Sequence, residues 1–337
     1  MTRIGVTVGV ETWPFDKPFR ISGVTWSEMR SLLVNLDSGA AIGRGEAQGV
    51  YYRNETPESM IDQLAAIQDE VAAGLDRDAL CDLLPPGGAR NALDCALWEL
   101  ESHRTGQPVC VLAGIERTRP LVTTWTIGAD APDVMARDAM AYAAAKAIKL
   151  KLTGDGLDGD RVRAVRAARP DVWLGVDANQ GLDRAGLEAL IPVFVDAGVS
   201  LIEQPLPVGR DAELDGLDCP IPLAADESVQ GLADLPALQG RYDVVNIKLD
   251  KCGGLTEGLA MARAAPDFGL KIMVGNMCGT SLAMAPSFVL GQLCDVVDLD
   301  GPLLLGRDRS IAVSYNDGLV DCPDGLWGAA QKWKVHA

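Results

Sequence analysis

Three lysines and three carboxylates have residue types and a spacing that could do chemistry. Lys149 and Lys151 lie two residues apart in the segment AIKLKL, and Lys248 lies in the segment VVNIKLD. Between Lys151 and Lys248, three carboxylates follow apolar segments at intervals of 22 to 26 residues; they are Asp177, Glu203 and Asp226. Amines and carboxylates that converge in a fold can bind a metal ion and transfer protons. The set therefore predicts a metal site flanked by acid and base groups.

The three carboxylates each end a predicted buried strand. In a parallel barrel the strand ends meet at one mouth, where carboxylates repel one another unless a hard cation neutralises them. Oxygen ligands with open positions suit Mg2+ rather than zinc. The alternative is that each acid caps the helix after its strand, but Glu203 precedes Gln204-Pro205 and makes a poor cap. We expect Asp177, Glu203 and Asp226 to hold a metal ion.

The lysines are the predicted proton-transfer groups. Lys149 and Lys151 point to the same side of their strand, which in a closed barrel is the interior, and Lys248 follows four strands later on the opposite side. Buried lysines are costly unless they are paired or functional. They either form salt bridges with the carboxylates or flank a metal-bound substrate, with pKa values lowered by burial and by the cation. The only histidines are His103 and His336, and neither ends a barrel strand.

Eight predicted strands alternate with helical segments from Leu121 onward. Continuous apolar strands separated by helices are typical of a parallel sheet covered on both faces, and eight such units close most economically into a TIM-like (β/α)8-type barrel. A doubly wound open sheet is the alternative, but no GxGxxG follows the first strand and acids end several strands. The strands are VTTWTI, AIKLKL, VWLGVDA, SLIEQP, IPLAADES, VVNIKLD, LKIMVGN and VVDLDGP.

The N-terminal third has a different pattern. Alternating apolar residues predict antiparallel strands, and helical patterns follow over Pro57 to Gly74 and Ala89 to His103. We predict an α/β protein in which an α+β capping domain spans residues 1–115 and the catalytic barrel spans residues 116–309. The segment 310–337 has little repeat character and is expected to pack back on the capping domain.

The composition excludes several kinds of partner. Lys and Arg number 30 against 47 Asp and Glu, a formal net charge of −17, and a field of that sign repels nucleic acid and anionic lipid. The eight cysteines include no CxxC pair, which predicts reduced thiols. The longest uncharged stretch, Ile272 to Cys294, contains Asn276, Pro286 and three glycines and predicts a strand, a loop and a buried helix. The N-terminal segment lacks the apolar region of a signal peptide, so we expect a cytoplasmic protein.

These ordered motifs resemble the enolase superfamily and, within it, the muconate lactonizing enzyme subgroup. The resemblance covers the whole chain and implies a modified (β/α)7β barrel with a capping domain. It also implies that the carboxylates bind Mg2+, that Lys151 and Lys248 exchange a proton on opposite faces of a carbon next to a carboxylate, and that Lys149 stabilises the enolate. The matching segments are Lys149-Leu-Lys151, VDAN with Asp177, IEQP with Glu203, ADES with Asp226 and NIKLDK with Lys248.

The last predicted strand is similar to that of the dipeptide epimerases of this subgroup. It reads VVDLDGP, in which Asp298 and Asp300 are two residues apart and share one face. The resemblance implies that this pair receives the ammonium group of a dipeptide; loop capping is the alternative. We therefore expect an isomerase, a Mg2+-dependent dipeptide epimerase that inverts the α-carbon of the C-terminal residue.

The substrate side chain is expected to meet loops of the capping domain. Relatives that act on Ala-Glu often carry arginine near the end of the first loop, where this chain has Trp26, and Arg20 is the alternative cation. Trp26, Tyr51, Tyr52 and Met277 either line a pocket for an apolar side chain or pack as core. We expect a hydrophobic or broad preference, with Ala-Glu as the close alternative.

Two other interpretations stay open. N-acylamino acid racemase, o-succinylbenzoate synthase and cycloisomerase activities need no free amine, which would leave Asp298 and Asp300 without a partner. A non-catalytic barrel that binds a metal would explain the carboxylates but not the opposed lysines. Closed homo-oligomers are common, so a homo-oligomer is expected; its size, the preferred side chains and the pathway do not follow from the sequence.

Overall fold

A long antiparallel hairpin begins the fold. The computed structural model describes residues 3–21 and 24–330, without the side chains of residues 19–21 and 24. Three strands form an antiparallel sheet in chain order: β1 (Gly5–Ile21), β2 (Val24–Asp37) and β3 (Ile42–Ala47). The helices that follow are α1 (Pro57–Ala65), α2 (Gln68–Ala73), α3 (Arg77–Leu83), α4 (Gly88–Thr105) and α5 (Val109–Leu112). Both predicted helical patterns are confirmed, although the first is divided into α1 and α2.

Helix α4 packs very closely on strand β3. A Cβ atom at Gly45 would lie 1.9 Å from the carbonyl oxygen of Ala92, and one at Gly43 would lie 2.0 Å from that of Ala96. No side chain fits between these two backbones, so both positions require glycine. Arg44, between the two glycines, donates its backbone N–H to the buried carboxylate of Glu99 on α4 at 2.6 Å. These contacts join the sheet and the helix into one module.

An eight-stranded parallel sheet forms the rest of the core. Every neighbouring pair of its strands is parallel, and their spatial order follows the chain. After the short strand β4 (Leu121–Val122), the barrel strands are β5 (Thr124–Ile127), β6 (Ala147–Lys151), β7 (Trp173–Asp177), β8 (Leu201–Glu203), β9 (Leu223–Ala225), β10 (Val244–Ile247), β11 (Lys271–Val274) and β12 (Val296–Val297). The predicted barrel is confirmed, and the open doubly wound sheet is excluded because its strand order would reverse.

Helices connect most of these strands on the outside. They are α6 (Pro132–Ala141), α7 (Asp158–Ala168), α8 (Arg184–Asp196), α9 (Leu235–Leu238), α10 (Leu249–Cys252), α11 (Leu255–Ala264) and α12 (Ser281–Gly291). Strand β12 is followed by a 3-10 turn, Gly301–Leu304, instead of an α-helix. This arrangement is the (β/α)7β variant of the barrel.

Side chains close the seam between β12 and β5. Asp298 accepts a hydrogen bond from the Thr124 hydroxyl, and Asp300 accepts one from the backbone N–H of Thr126 at 2.6 Å. The Thr123 hydroxyl oxygen accepts a bond from the Leu299 backbone N–H at 2.9 Å. Asp298 and Asp300, which follow the last strand instead of lying in it, therefore join the two ends of the sheet as well as facing its mouth.

The chain after the barrel contacts the first module again. Strands β13 (Ser314–Asn316) and β14 (Leu319–Asp321) form a hairpin that pairs with β4. Beyond it, the Trp327 indole donates to the Arg44 carbonyl oxygen at 3.0 Å, and the Gly328 N–H donates to Glu99 at 3.0 Å. These bonds agree with the expected return to the capping domain, while the domain boundaries stay predictions. Residues 331–337 of that segment lie outside the described residues.

The uncharged stretch 272–294 is not a bilayer span. It contains most of strand β11 and the buried helix α12, as predicted. Within residues 3–21 and 24–330, no helix is long and apolar enough to cross a bilayer. All eight cysteines are free thiols, which confirms the prediction that they form no disulfide framework.

Candidate active site

The barrel mouth opens into a cavity. Aromatic residues of the capping module line it, among them the three predicted ones, Trp26, Tyr51 and Tyr52. A concave site with convergent polar groups is typical of small-molecule binding. Predicted site residues that line it are Lys149, Lys151, Asp226, Lys248, Met277, Asp298 and Asp300, together with the three aromatic residues.

The three predicted metal ligands converge below this cavity. Asp177 and Glu203 end β7 and β8, and Asp226 directly follows β9. One oxygen of each carboxylate lies within 4.8 Å of the others, and all three side chains are buried. Three buried negative charges at this separation need cations, and an all-oxygen donor set fits a hard cation such as Mg2+. The donor chemistry of the site therefore fits the expected metal.

The three lysines are the cations that face these carboxylates. Lys151 Nζ lies 2.6 Å from Asp177 Oδ2, and Lys248 Nζ lies 2.6 Å from Asp226 Oδ2. Lys149 Nζ pairs with Asp298 and lies 3.4 Å from Glu203 Oε2. Lys151 ends β6, and Lys248 follows β10, four strands further round the barrel. The two amines therefore approach the three carboxylates, called the triad below, from opposite sides.

Without a cation, pairing with carboxylates determines the pKa values of Lys149 and Lys248. Burial acts to lower the pKa of Lys248, but the negative charges of Asp226 and Glu203 outweigh it and hold that pKa well above its usual range. Lys149 behaves in the same way, with Asp298 as its strongest partner. The lysines here serve as counter-ions of the carboxylates, so lowered pKa values require a cation that takes over this role.

Glu203 has the opposite perturbation. Burial and the charge of the neighbouring Asp177 raise its pKa to about 7, although the ammonium group of Lys149 acts to lower it. Asp226 keeps a pKa well below its usual range, because the ammonium groups of Lys248 and Lys251 outweigh the effect of burial. Glu203 is therefore the triad member that binds a proton near neutral pH.

Asp298 and Asp300 share the mouth but differ in their surroundings. Asp298 pairs with Lys149 and accepts from Thr124. Asp300 accepts a hydrogen bond from the backbone N–H of Thr126, and burial followed by the charge of Asp298 raises its pKa to about 6. Both aspartates are buried. Asp300 therefore keeps more capacity to accept hydrogen bonds from a bound cation.

Aromatic side chains form the outer wall of the cavity. The ring centroids of Trp26 and Tyr51 are 5.2 Å apart in an edge-to-face arrangement, and those of Tyr51 and Tyr52 are also 5.2 Å apart. Met277, after β11, lines the same cavity. Arg20 lies in β1, but its side chain is outside the described part of the structure.

Several polar residues of the site were not predicted from the sequence. Asn246 donates from Nδ2 to Glu203 Oε1 at 2.7 Å, and Lys251 Nζ lies 2.6 Å from Asp226 Oδ1. Asn179 donates its backbone N–H to Asp177 Oδ1 at 2.9 Å and its Nδ2 to Glu227 at 3.3 Å. A sequence signal exists for Asn246, which interrupts the apolar strand VVNI at the position that shares a face with Lys248.

Comparison with known proteins places the chain in a family. Residues 3–114 match the mandelate racemase / muconate lactonizing enzyme N-terminal domain, and residues 134–325 match the enolase C-terminal domain-like family. The chain is 40% identical over 315 residues to the L-Ala-D/L-Glu epimerase of Escherichia coli (strain K12), covering 93% of this chain and 98% of that protein. It is 41% identical over 260 residues to an N-acetyl-D-glutamate racemase of a Pseudoalteromonas species, covering 76% and 81%.

Solved structures give the same result. An enolase family member from Agrobacterium tumefaciens with homology to dipeptide epimerases, with bound sodium and L-Ala-L-Glu, matches with a TM-score of 0.94 and 40% identity over 96% of this chain and all of that one. A dipeptide epimerase from Methylococcus capsulatus, complexed with Mg and L-Arg-D-Lys, matches with a TM-score of 0.89 and 30% identity, covering 97% and 99%. The chain belongs to the mandelate racemase and muconate lactonizing enzyme family of the enolase superfamily.

Proposed function

We propose that this protein is a Mg2+-dependent dipeptide epimerase, an isomerase that inverts the α-carbon of the C-terminal residue of its substrate. The observation that carries the proposal is the approach of two amines, Lys151 and Lys248, to three clustered carboxylates from opposite sides of the barrel. Inversion needs a base on one face of the α-carbon and an acid on the other, and this geometry supports both. The epimerase relatives in two bacteria support the same activity.

The proposed mechanism is a two-base proton transfer. Asp177, Glu203 and Asp226 would hold Mg2+, whose positive charge would make the proton on the carbon next to the substrate carboxylate more acidic. Lys151 removes that proton from one face, and Lys248 donates a proton to the opposite face; the reverse reaction exchanges the two roles. Lys149 donates a hydrogen bond to the oxygen on which the negative charge develops. The product is the epimer at the C-terminal residue.

The ammonium group of the dipeptide is proposed to bind Asp298 and Asp300, which follow the last strand. Asp300 has spare acceptor capacity and Asp298 lies beside it, so a substrate ammonium can form charge-assisted hydrogen bonds there. This binding would fix the dipeptide at its amino end. The α-carbon of the C-terminal residue then lies between the two lysines.

The side-chain preference is proposed to be hydrophobic or broad. Trp26, Tyr51, Tyr52 and Met277 provide apolar surface near the mouth. Among the described side chains that line the cavity, the cations are the three lysines of the site. The carboxylate of a glutamate side chain in the substrate would therefore need a different cation as its partner. Arg20 stays the proposed candidate. Ala-Glu is the competing substrate in view of the Escherichia coli relative.

A second candidate function is N-acylamino acid racemisation. Asp298 is already paired with Lys149, so a substrate without a free amine would not leave it unpaired. The N-acetyl-D-glutamate racemase relative supports this alternative. In that case Asp300 would have no ammonium partner, which distinguishes the two activities.

Substrate acetylation and one variant separate these activities. We expect wild-type protein with Mg2+ to epimerise L-Ala-L-Leu or L-Ala-L-Glu and to leave N-acetylated amino acids unchanged. Chiral chromatography of the products measures both reactions. We expect Asp300→Asn to raise KM for free dipeptides by about tenfold or more, because a charge-assisted bond is lost, while the exposed control Asp160→Asn has no effect. Faster turnover of N-acetylated substrates, with no response to Asp300→Asn, would establish the second candidate.

We also propose a cytoplasmic location and a homo-oligomeric assembly. Eight free thiols are expected of a protein from a reducing compartment. The net charge of −17 disfavours nucleic acid and anionic membranes as partners. Closed homo-oligomers are the commonest assemblies of such enzymes, and light scattering on the purified protein tests this point.

A further inference from the structure

In each carboxylate of the triad, one oxygen is held by a hydrogen bond or ion pair with a group other than the three catalytic lysines. Asp177 Oδ1 accepts the backbone N–H of Asn179 at 2.9 Å, and Glu203 Oε1 accepts Nδ2 of Asn246 at 2.7 Å. Asp226 Oδ1 lies 2.6 Å from the Nζ of Lys251. The three second oxygens instead face the catalytic lysines: Lys151 at Asp177 Oδ2, Lys149 at Glu203 Oε2 and Lys248 at Asp226 Oδ2.

Two of these three donors, Asn246 and Lys251, come from one short segment. Asn246 lies in β10 and Lys251 in α10, on either side of Lys248. Asn246 is 0% exposed and Lys251 is 1% exposed, so neither has access to bulk water. The segment that carries a proposed base therefore also orients two of the three proposed metal ligands.

Lys251 makes bonds only with backbone and carboxylate groups around the triad. Besides Asp226 Oδ1, its Nζ donates to the carbonyl oxygen of Asp226 and to that of Asn246 at 3.1 Å. Three acceptors match the three N–H bonds of an ammonium group. The amine is thus held on both the main chain and the side chain of Asp226, which leaves that carboxylate a single oxygen, Oδ2, to turn toward the cavity.

We infer that Lys251 and Asn246 are positioning residues. They orient Asp226 and Glu203 so that each carboxylate binds a cation through a single oxygen, and they so make the site selective for Mg2+ over Ca2+. This inference rests on the proposed function, because it assumes that the triad binds a cation. Mg2+ demands near-ideal octahedral geometry, whereas Ca2+ accepts flexible ligand sets and carboxylates that bind through both oxygens. Because Lys251 and Asn246 occupy one oxygen of Asp226 and one of Glu203, these carboxylates cannot bind a cation through both oxygens.

The charge of Lys251 makes the inference testable, because two physical effects have opposite signs. If the amine acted only as a nearby positive charge, its removal would strengthen cation binding. If it positions Asp226, its removal weakens Mg2+ binding, since loss of the partners that orient metal ligands costs about 10- to 100-fold in metal affinity. The affinity change in a Lys251 variant therefore decides between the two.

The experiment measures Mg2+ and Ca2+ affinity by isothermal titration calorimetry without substrate. For Lys251→Met we expect Mg2+ binding to weaken by about 10- to 100-fold and Ca2+ binding to weaken less, so that the Mg2+ to Ca2+ preference falls. The control Lys146→Met removes an exposed lysine that pairs with Asp317 far from the triad, and both affinities should stay at wild-type values. Asn246→Ala, which removes no charge, is expected to weaken Mg2+ binding in the same direction and keeps the test valid if Lys251→Met does not fold.

The outcomes separate this inference from the proposed function. Unchanged or tighter Mg2+ binding in folded Lys251→Met, or an unchanged metal preference in Asn246→Ala, would overturn the positioning role. Absence of Mg2+ binding in the wild-type protein would instead contradict the proposed metal site itself.

Discussion

Lys248→Ala is expected to abolish epimerisation while leaving hydrogen exchange at the α-carbon of one epimer. The remaining amine, Lys151, can still remove and return a proton on its own face, but no acid remains on the other face. Loss of one general acid or base reduces the rate by about 10²- to 10⁴-fold. Proton NMR of each separate epimer in D2O with Mg2+ measures this directly.

The matched control for this variant is Lys146→Ala, which removes an exposed lysine that pairs with Asp317. It should epimerise and exchange at wild-type rates. Exchange of both epimers by Lys248→Ala, or epimerisation at the wild-type rate, would contradict the assignment of Lys248 as the second proton-transfer group. The reciprocal variant Lys151→Ala should exchange only the other epimer.

Mg2+ affinity is expected to fall as the pH drops below 7. Burial and the charge of Asp177 raise the pKa of Glu203 to about 7, so this carboxyl is protonated at lower pH and the cation must displace a proton. Above pH 7 the carboxylate is already ionised and the affinity should level off. One displaced proton corresponds to a decrease of about tenfold per pH unit.

Calorimetric titration of Mg2+ at several pH values between 6 and 8 checks this dependence. The number of protons released per bound ion follows from repeating the titration in buffers of different ionisation enthalpy. Glu203→Gln should bind Mg2+ weakly and without the pH-dependent step, and the exposed Glu188→Gln should behave as wild type. An affinity that is constant across this range would contradict the role of Glu203 as the titrating ligand.

Much of the fold and of the site follows from periodicity alone. The interval between strand-ending polar residues corresponds to one strand and one helix, which predicts a barrel, and alternation within AIKLKL directs Lys149 and Lys151 to the same interior face. Because a parallel barrel brings all its strand ends to one mouth, the positions of the carboxylates along the chain were enough to predict that they meet.

What periodicity does not encode is which atoms pair across the barrel. The hydrogen bonds that Asp298 and Asp300 accept from β5 depend on how the last strand meets the first, which no local pattern determines. Lys251 lies in a single helical turn after Lys248, where the side-chain direction depends on tertiary packing. Nor does periodicity show that pairing with the carboxylates outweighs burial in setting the pKa values of Lys149 and Lys248.

Loops of the capping module were harder to predict than the barrel. Tyr51 and Tyr52 lie in a 3-10 turn that ends at Asn54 in a left-handed conformation with φ 58°. Such turns lack a repeating pattern, and their position over the mouth results from contacts with the barrel, such as the bond from Gln230 to the Tyr52 hydroxyl at 3.1 Å. The sequence identified the aromatic residues, but the structure was needed to bring them together.

The most direct test of the proposed activity is the position of hydrogen exchange in a dipeptide. Wild-type protein, Mg2+ and L-Ala-L-Leu or L-Ala-L-Glu are incubated in D2O and followed by NMR. The two-base mechanism predicts deuterium at the α-carbon of the C-terminal residue, with appearance of the epimer at that carbon and none at the N-terminal residue. Exchange at the N-terminal residue, or no exchange with any free dipeptide, would contradict the proposed function.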